Sequence, residues 1–132
     1  FRSAAHAMGL EVVPLVGPVS LLLALAASGL NGQNFAFVGY LPVEATERTQ
    51  RIRELEALSL KTGQTQLFIE TPYRNPALLQ ALLQALQPQT RLSISTGLTL
   101  DTAHTRSAVV KEWRSQATGP DKHTPAVFCI GR

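Results

Sequence analysis

The sequence predicts an α/β fold in which helices cover the faces of a sheet formed by the five strands that follow Gly29. Short runs rich in β-branched and aromatic residues alternate along the chain with longer segments of helical periodicity. Glycine or proline ends several of these segments. Hydrophobic residues make up 45% of the 132 residues and charged residues 16%, which supports one well-buried core. We therefore expect a single compact unit.

The chain opens with elements that lead into an apolar helix. Ser3 to Met8 has the pattern of a helix end, and Glu11 to Leu15 that of a Val-rich strand. A Val-Gly-Pro turn then begins a helix from about Val19 to Ser28, which ends at Gly29. Because this helix is apolar all round, we expect it to be buried on several sides.

A long surface helix separates the next two strands. Phe35 to Leu41 predicts an aromatic strand that leaves the sheet at Pro42, and Gln66 to Glu70 predicts a short buried strand. The helix between them should run from about Glu44 to Leu60. Three residues form its expected inward stripe: Ile52, Leu55 and Leu58.

The clearest helix begins at Asn75 and Pro76, where Asn is expected to cap it, and ends before Pro88. Its inward face consists of leucines, at positions Leu78, Leu79, Leu82, Leu83 and Leu86. Arg91 to Thr96 then alternates apolar and polar residues, as a half-buried strand does.

Three short elements complete the predicted fold. Thr105 to Ala108 predicts a strand, and Val109 to Ser115 a short helix with Trp113 packed inward. Ala126 to Ile130 is an apolar run that predicts the final strand.

Composition excludes several classes of protein. Cys129 is the single cysteine, so we expect no intrachain disulfide and a reducing, cytoplasmic compartment. The three histidines are far apart in sequence, and we assign no metal site. The apolar run Leu21 to Ala27 is far shorter than the roughly 18 to 20 residues that span a bilayer, so we expect no membrane segment.

A basic cluster consists of Arg48, Arg51 and Arg53, in a chain of net charge +3 and pI near 9.5. The glutamates around it fit an exposed helix surface and are Glu44, Glu47, Glu54 and Glu56. Glu44 with Arg48 and Glu47 with Arg51 are acid-before-base pairs four residues apart. The cluster therefore fits a solvated helix face, and it also fits contact with an anionic partner such as RNA.

The usual catalytic motifs are absent from the sequence, including a nucleophile elbow, a phosphate-binding GKS or GKT loop, GxGxxG and HExxH. Three loops at predicted strand ends remain, and ligands of open α/β sheets usually bind at such loops. They are the segments 15–20 (LVGPVS), 70–75 (ETPYRN) and 124–126 (TPA). The first either aims the Val19 and Ser20 amides at a ligand or simply begins a helix. The second either faces a ligand or is a solvated turn with a salt bridge.

These loops, taken in order, resemble the tetrapyrrole methylase family. The string VVPLVGPVSLLLALAASGL is similar to the family's central turn and Ala-rich helix, and PAVF to its last strand. FVGYLP and ETPYR resemble segments of the branch that methylates a cytidine ribose in small-subunit ribosomal RNA. Tyr73 stands where that branch has His, and Val16 and Val19 replace Pro and Ser of the turn.

The resemblance implies the C-terminal part of an S-adenosylmethionine-dependent methyltransferase, commonly a homodimer, with the cofactor between two domains and a mixed sheet in this one. Residues 1–17 would end the N-terminal domain and connect it to a C-terminal domain of residues 18–132. The cofactor would lie near four residue pairs, mostly at their backbone: Val19 and Ser20, Ile69 and Glu70, Ser95 and Thr96, Pro125 and Ala126. We expect the isolated chain to be inactive, because the family's N-terminal Gly-rich loop and Asp-Pro-Gly segment have no counterpart in it.

Five residues are candidates for the substrate side: Tyr73, Arg74, Arg48, Arg51 and Arg53. Ribosomal RNA is the expected methyl acceptor, with a tetrapyrrole as the alternative. A non-catalytic α/β module that binds RNA or protein is the competing hypothesis from another class. An upstream Gly-rich loop and Asp-Pro-Gly segment would favour the enzyme over the binding module.

Overall fold

The computed structural model describes residues 18–97, 104–116 and 118–132. The helix end and strand predicted before Gly17 lie outside these residues. The described part contains one five-stranded sheet of order β1-β2-β5-β3-β4. Its strands are β1 Phe35–Tyr40, β2 Thr65–Ile69, β3 Arg91–Thr96, β4 His104–Val109 and β5 Ala126–Gly131. β1 and β2 are parallel and the other pairs antiparallel, so the expectation of a mixed sheet is confirmed.

The described residues form four α-helices: α1 Pro18–Ser28, α2 Ala45–Thr62, α3 Asn75–Ala85 and α4 Val110–Ser115. A short 3₁₀ turn, Pro72–Arg74, leads into α3. Each helix and strand predicted within the described residues is present, with bounds that differ by a few residues. Hydrophobic periodicity and the Gly and Pro positions were therefore sufficient to locate the elements.

The sheet separates two clusters of buried apolar side chains. α1 packs on one face, where its Leu21 and Leu25 join Leu67, Ile69 and Val127. The larger cluster lies on the other face and draws on α2, α3 and α4. Successive strand residues alternate between the clusters, as side chains of a β-strand must. Phe68 and Phe128 belong to the larger one, and their rings stack with centroids 5.8 Å apart.

α1 is not buried on several sides, so that expectation is wrong for the described residues. Its buried side chains follow the spacing i, i+3, i+4, i+7, at Leu21, Ala24, Leu25 and Ser28. The opposite face exposes Leu22 at 55% and Leu23 at 49%. The exposed positions of α1 are as apolar as the buried ones. Hydropathy therefore could not predict which face of the helix packs on the sheet.

The inward face of α2 also differs from the prediction, because Leu58 is exposed and Ser59 is buried. Counting from Ile52, the positions i, i+3, i+4 and i+7 are Ile52, Leu55, Glu56 and Ser59, and all four are buried. Glu56 is tolerated there because its Oε2 accepts hydrogen bonds from the Gln87 amide at 2.8 Å and the Thr90 hydroxyl at 2.6 Å.

The ends of α2 are fixed by local backbone contacts. Glu44 is the N-cap, and its carboxylate accepts a hydrogen bond from the Glu47 amide at 2.6 Å. This bond favours the charged carboxylate and lowers the pKa of Glu44. Gly63 ends the helix with φ of 78°, a left-handed conformation that glycine adopts without strain.

Cys129 lies in the middle of β5, fully enclosed between the sheet and α1. Burial disfavours the thiolate and raises the pKa of Cys129 to about 12. Within the described residues, no helix has both the length and the apolar character that a bilayer crossing requires.

Candidate functional site

Three chain segments meet at one end of the sheet, here called the site end. β2 and β3 finish there and β5 begins there, because β5 pairs antiparallel with both. Ile69 is opposite Val127, and Thr96 is opposite Ala126. Six of the predicted cofactor-side residues are thereby brought together: Ile69, Glu70, Ser95, Thr96, Pro125 and Ala126.

α1 directs its N-terminus toward the site end. Its other end lies farther down the sheet, where the Ser107 hydroxyl donates to the Ser28 carbonyl at 2.8 Å. Leu30, just beyond α1, lies against Gly131 at the opposite end of β5 from Ala126. The first turn of α1, which holds Val19 and Ser20, therefore presents backbone amides toward the site end, and such amides have no partner within their own helix.

Glu70 follows β2 directly and is the buried acid of the site end, with 5% of its surface exposed. Its Oε1 accepts a hydrogen bond from the Thr71 amide at 2.8 Å and lies 3.6 Å from Nη1 of Arg74. The predicted turn with a salt bridge is thus present. The second oxygen, Oε2, is buried and has no hydrogen-bond partner among the described residues. A buried acceptor without a donor is costly unless a ligand or water supplies one.

Asn75 supplies a second acceptor of this kind. Its side chain is fully buried, and Nδ2 donates to the Thr124 carbonyl at 3.0 Å. Oδ1 has no hydrogen-bond partner in the described part of the chain. The prediction that Asn75 caps α3 is wrong, because the 3₁₀ turn runs straight into the helix and leaves Asn75 inside it. Its side chain instead joins the 70–75 loop to the segment before β5.

The other polar side chains at the site end already have partners. Ser95 Oγ and Thr105 Oγ1 are 2.8 Å apart, and Thr96 Oγ1 donates to the His104 carbonyl at 3.4 Å. Ala126 directs its methyl group into the larger apolar cluster. What these residues can offer a ligand is therefore mainly backbone.

Curated relatives of the chain are named ribosomal RNA small subunit methyltransferase I. The protein of that name from Mesorhizobium japonicum is 33% identical over 126 residues, which are 93% of this chain and 41% of that protein. The one from Vibrio cholerae is 35% identical over 91 residues, 69% of this chain and 30% of that protein. The chain thus spans less than half the length of these relatives. No protein-family model matches it.

Solved structures share the fold across nearly the whole chain. The methyltransferase CobJ superposes with a TM-score of 0.58 at 18% identity, covering 99% of this chain and 56% of that one. Uroporphyrin-III C-methyl transferase from Thermus thermophilus, solved with S-adenyl homocysteine, gives 0.51 at 17% identity, covering 99% and 57%. The chain therefore has the fold of these methyltransferases.

Two of the predicted substrate-side residues lie on the outer surface of the 70–75 loop. Tyr73 is 59% exposed, and the Arg74 guanidinium lies 4.8 Å from the centre of its ring. Arg74 also reaches Glu70, so it connects the buried acid to the exposed aromatic ring.

The three arginines of α2 do not form one face, contrary to the interpretation from sequence. At about 100° per residue, Arg53 points away from both Arg48 and Arg51. Arg51 pairs with Glu54 at 3.4 Å, one turn later, in place of the Glu47 pair that spacing suggested. Arg48 keeps a buried Nε without a hydrogen-bond partner among the described residues. Arg48 and Arg51 lie in the first two turns, nearest the site end, because α2 begins where β1 finishes.

Proposed function

We propose that this chain is the C-terminal half of an S-adenosylmethionine-dependent methyltransferase that acts on ribose in ribosomal RNA. The observation that carries the proposal is the 33% identity with a ribosomal RNA small subunit methyltransferase I across 93% of the chain. The chain would then supply one wall of a cofactor cleft, and a preceding domain would supply the other.

The site end suits the chemistry of S-adenosylmethionine. That molecule carries hydrogen-bond donors in its ammonium group, ribose hydroxyls and adenine amine, together with a positive sulfonium. Glu70 Oε2 and Asn75 Oδ1 are buried acceptors that lack donors among the described residues. The amides of Val19 and Ser20, at the start of α1, suit its carboxylate or a ring nitrogen. Backbone at Ile69, Ser95, Thr96, Pro125 and Ala126 would line the rest.

Methyl transfer to a ribose hydroxyl would need no acid to activate the methyl group, but the hydroxyl proton would have to pass to a base or to water. The bound cofactor supplies a sulfonium methyl group that is already a strong electrophile. Holding the acceptor oxygen in line with that methyl group supplies much of the catalysis, and closing the site against water supplies more. The chain's part is therefore to bind and to orient, which agrees with a site end rich in backbone and buried acceptors and poor in titratable pairs.

We propose residues 18–132 as the C-terminal domain, residues 1–17 as the end of the N-terminal domain and its connection, and a cytoplasmic homodimer as the assembly. Ribosomal RNA is preferred to a tetrapyrrole because identity with the ribosomal RNA relatives is 33%, against 17% for the uroporphyrin-III enzyme. Tyr73, Arg74, Arg48 and Arg51 would face the RNA.

The direct test is methyl transfer from labelled S-adenosylmethionine by the protein that carries this chain. Small-subunit ribosomal RNA, within the 30S subunit, should be methylated, and uroporphyrinogen III should not. Transfer to the tetrapyrrole alone would reverse the assignment. Transfer to neither substrate, with RNA still bound, would favour a non-catalytic binding module.

Glu70→Gln tests the cofactor site itself. The substitution keeps the side-chain shape but replaces an acceptor oxygen by an amide donor, which would face the donors of the cofactor. Because a hydrogen bond to a charged group contributes about 1.5–3 kcal/mol, cofactor affinity should fall at least about tenfold by calorimetry. Glu54→Gln, on the exposed surface of α2, is the matched control and should bind normally. Equal affinities for the two variants would remove Glu70 from the site.

A further inference from the structure

A second concave feature lies on the sheet face opposite α1, beside the site end. It is a pocket of about 340 Å³ between the β3–β4 pair and the loop before β5. Its walls include Thr96, His104, Arg106, Trp113, Pro120 and Asp121. Among the residues predicted to lie near the cofactor or the substrate, Thr96 is the only one that lines this pocket in the described part of the chain.

Arg106 is the charged group of this pocket and is held rigidly. Its guanidinium lies over the Trp113 ring, 3.9 Å from the ring centre. The negative face of the indole ring attracts the positive charge and helps to hold the guanidinium in place. Its Nη1 donates to the carbonyls of Gln116 and Thr118. Trp113 is itself fixed, because it is 1% exposed and its Nε1 donates to the Leu92 carbonyl at 2.8 Å.

The charge of Arg106 is not neutralised by a carboxylate in the described part of the chain. Asp121 lines the same pocket, but its Oδ1 accepts hydrogen bonds from the His123 and Thr124 amides, each at 2.8 Å. These bonds lower the pKa of Asp121 and keep it turned to the loop backbone. Nε and Nη2 of Arg106 have no hydrogen-bond partner among the described residues, so two donors of a fixed guanidinium remain available.

A fixed guanidinium with two free donors matches the paired oxygens of a phosphate group. The pocket adjoins the site end through Thr96 and through Thr124, whose carbonyl accepts from Asn75. We propose that this pocket binds a backbone phosphodiester of the RNA strand, close to the nucleotide being methylated. This inference rests on the proposed function, and the phosphate contact would set the register of the RNA and not its sequence.

The test uses the protein that carries this chain and a fluorescein-labelled single-stranded RNA of the methylated small-subunit segment. Arg106→Gln should weaken RNA binding about tenfold in fluorescence anisotropy. It should also lower the slope of log K against log salt by about 0.7, the contribution of one contact to a single strand. KM for RNA should rise while kcat and cofactor affinity are retained. Arg106→Lys keeps the charge but loses the planar pair of donors. Its RNA affinity should lie between that of the unmodified protein and that of Arg106→Gln.

Arg91→Gln is the matched control, because Arg91 is exposed at the opposite end of β3. It should bind RNA like the unmodified protein. Unchanged RNA affinity in Arg106→Gln, with methyl transfer to RNA intact in the unmodified protein, would overturn this inference and leave the proposed function standing. If Arg106→Gln lowered both the cofactor affinity and the melting temperature, Arg106 would have a structural role. That result would also overturn this inference. No RNA methylation by the unmodified protein would remove the proposed function and this inference with it.

Discussion

Glu56→Ala should destabilise the fold more than its position on a charged surface helix suggests. Glu56 is 4% exposed and accepts two hydrogen bonds, one from the Gln87 amide and one from the hydroxyl of Thr90, itself 2% exposed. Each bond to a charged acceptor contributes about 1.5–3 kcal/mol. Removing a desolvated carboxylate offsets part of that loss. We expect a net decrease of about 2–4 kcal/mol in the free energy of unfolding.

Urea denaturation of the two alanine variants Glu56→Ala and Glu54→Ala measures this. Glu54 lies two positions away on α2, and its ion pair with Arg51 is exposed, so its loss should cost no more than about 0.5 kcal/mol. Combining Glu56→Ala with Thr90→Val should reveal a coupling of about 1 kcal/mol or more between the two positions. The resolution of such a cycle is about 0.5 kcal/mol. If the free energies of unfolding of Glu56→Ala and Glu54→Ala agreed within that margin, Glu56 would not stabilise the contact between α2 and the start of β3.

Three further predictions concern the core, the cofactor and the RNA. Leu82→Ala should lower the free energy of unfolding by about 2–5 kcal/mol, because Leu82 is fully buried. Gln84→Ala, on the solvent-exposed face of α3, should change it little in the same urea titration. The 132-residue chain by itself should bind S-adenosylmethionine weakly and transfer no methyl group, and micromolar binding by calorimetry would contradict a cleft with two walls. In the protein that carries the chain, Arg48→Ala with Arg51→Ala should weaken RNA binding more than Arg53→Ala, and a filter-binding series that ranks Arg53 first would exclude the first turns of α2 from the RNA surface.

The elements were predictable because each one is encoded locally. Gly29 and Gly63 follow the ends of α1 and α2, and Pro42 and Pro88 follow β1 and α3. The leucine stripe of α3 was read correctly because buried and exposed positions differ in polarity there. On α1 they do not differ, so the sequence could not tell which apolar residues face solvent.

The pairings between distant segments were not predictable from periodicity. Asn75 looked like a cap because Asn-Pro commonly begins helices, yet its partner is the Thr124 carbonyl, 49 residues later. Glu56 likewise looked like a surface acid, although its partner Thr90 is 34 residues away. The placement of β5 between β2 and β3 explains both the site end and the pocket, and that order follows from tertiary packing and not from any local signal.

Cys129 gives the chain a reporter of its own unfolding. It is the single cysteine among the 132 residues, and it is enclosed in the central strand of the sheet with a pKa of about 12. A thiol reagent at neutral pH therefore finds almost no thiolate until the strand separates from α1. The rate of labelling, divided by that of an exposed thiol, then gives the fraction of time for which the centre of the sheet is open under native conditions. Cofactor or RNA that binds only the closed fold should slow that labelling in proportion to its occupancy.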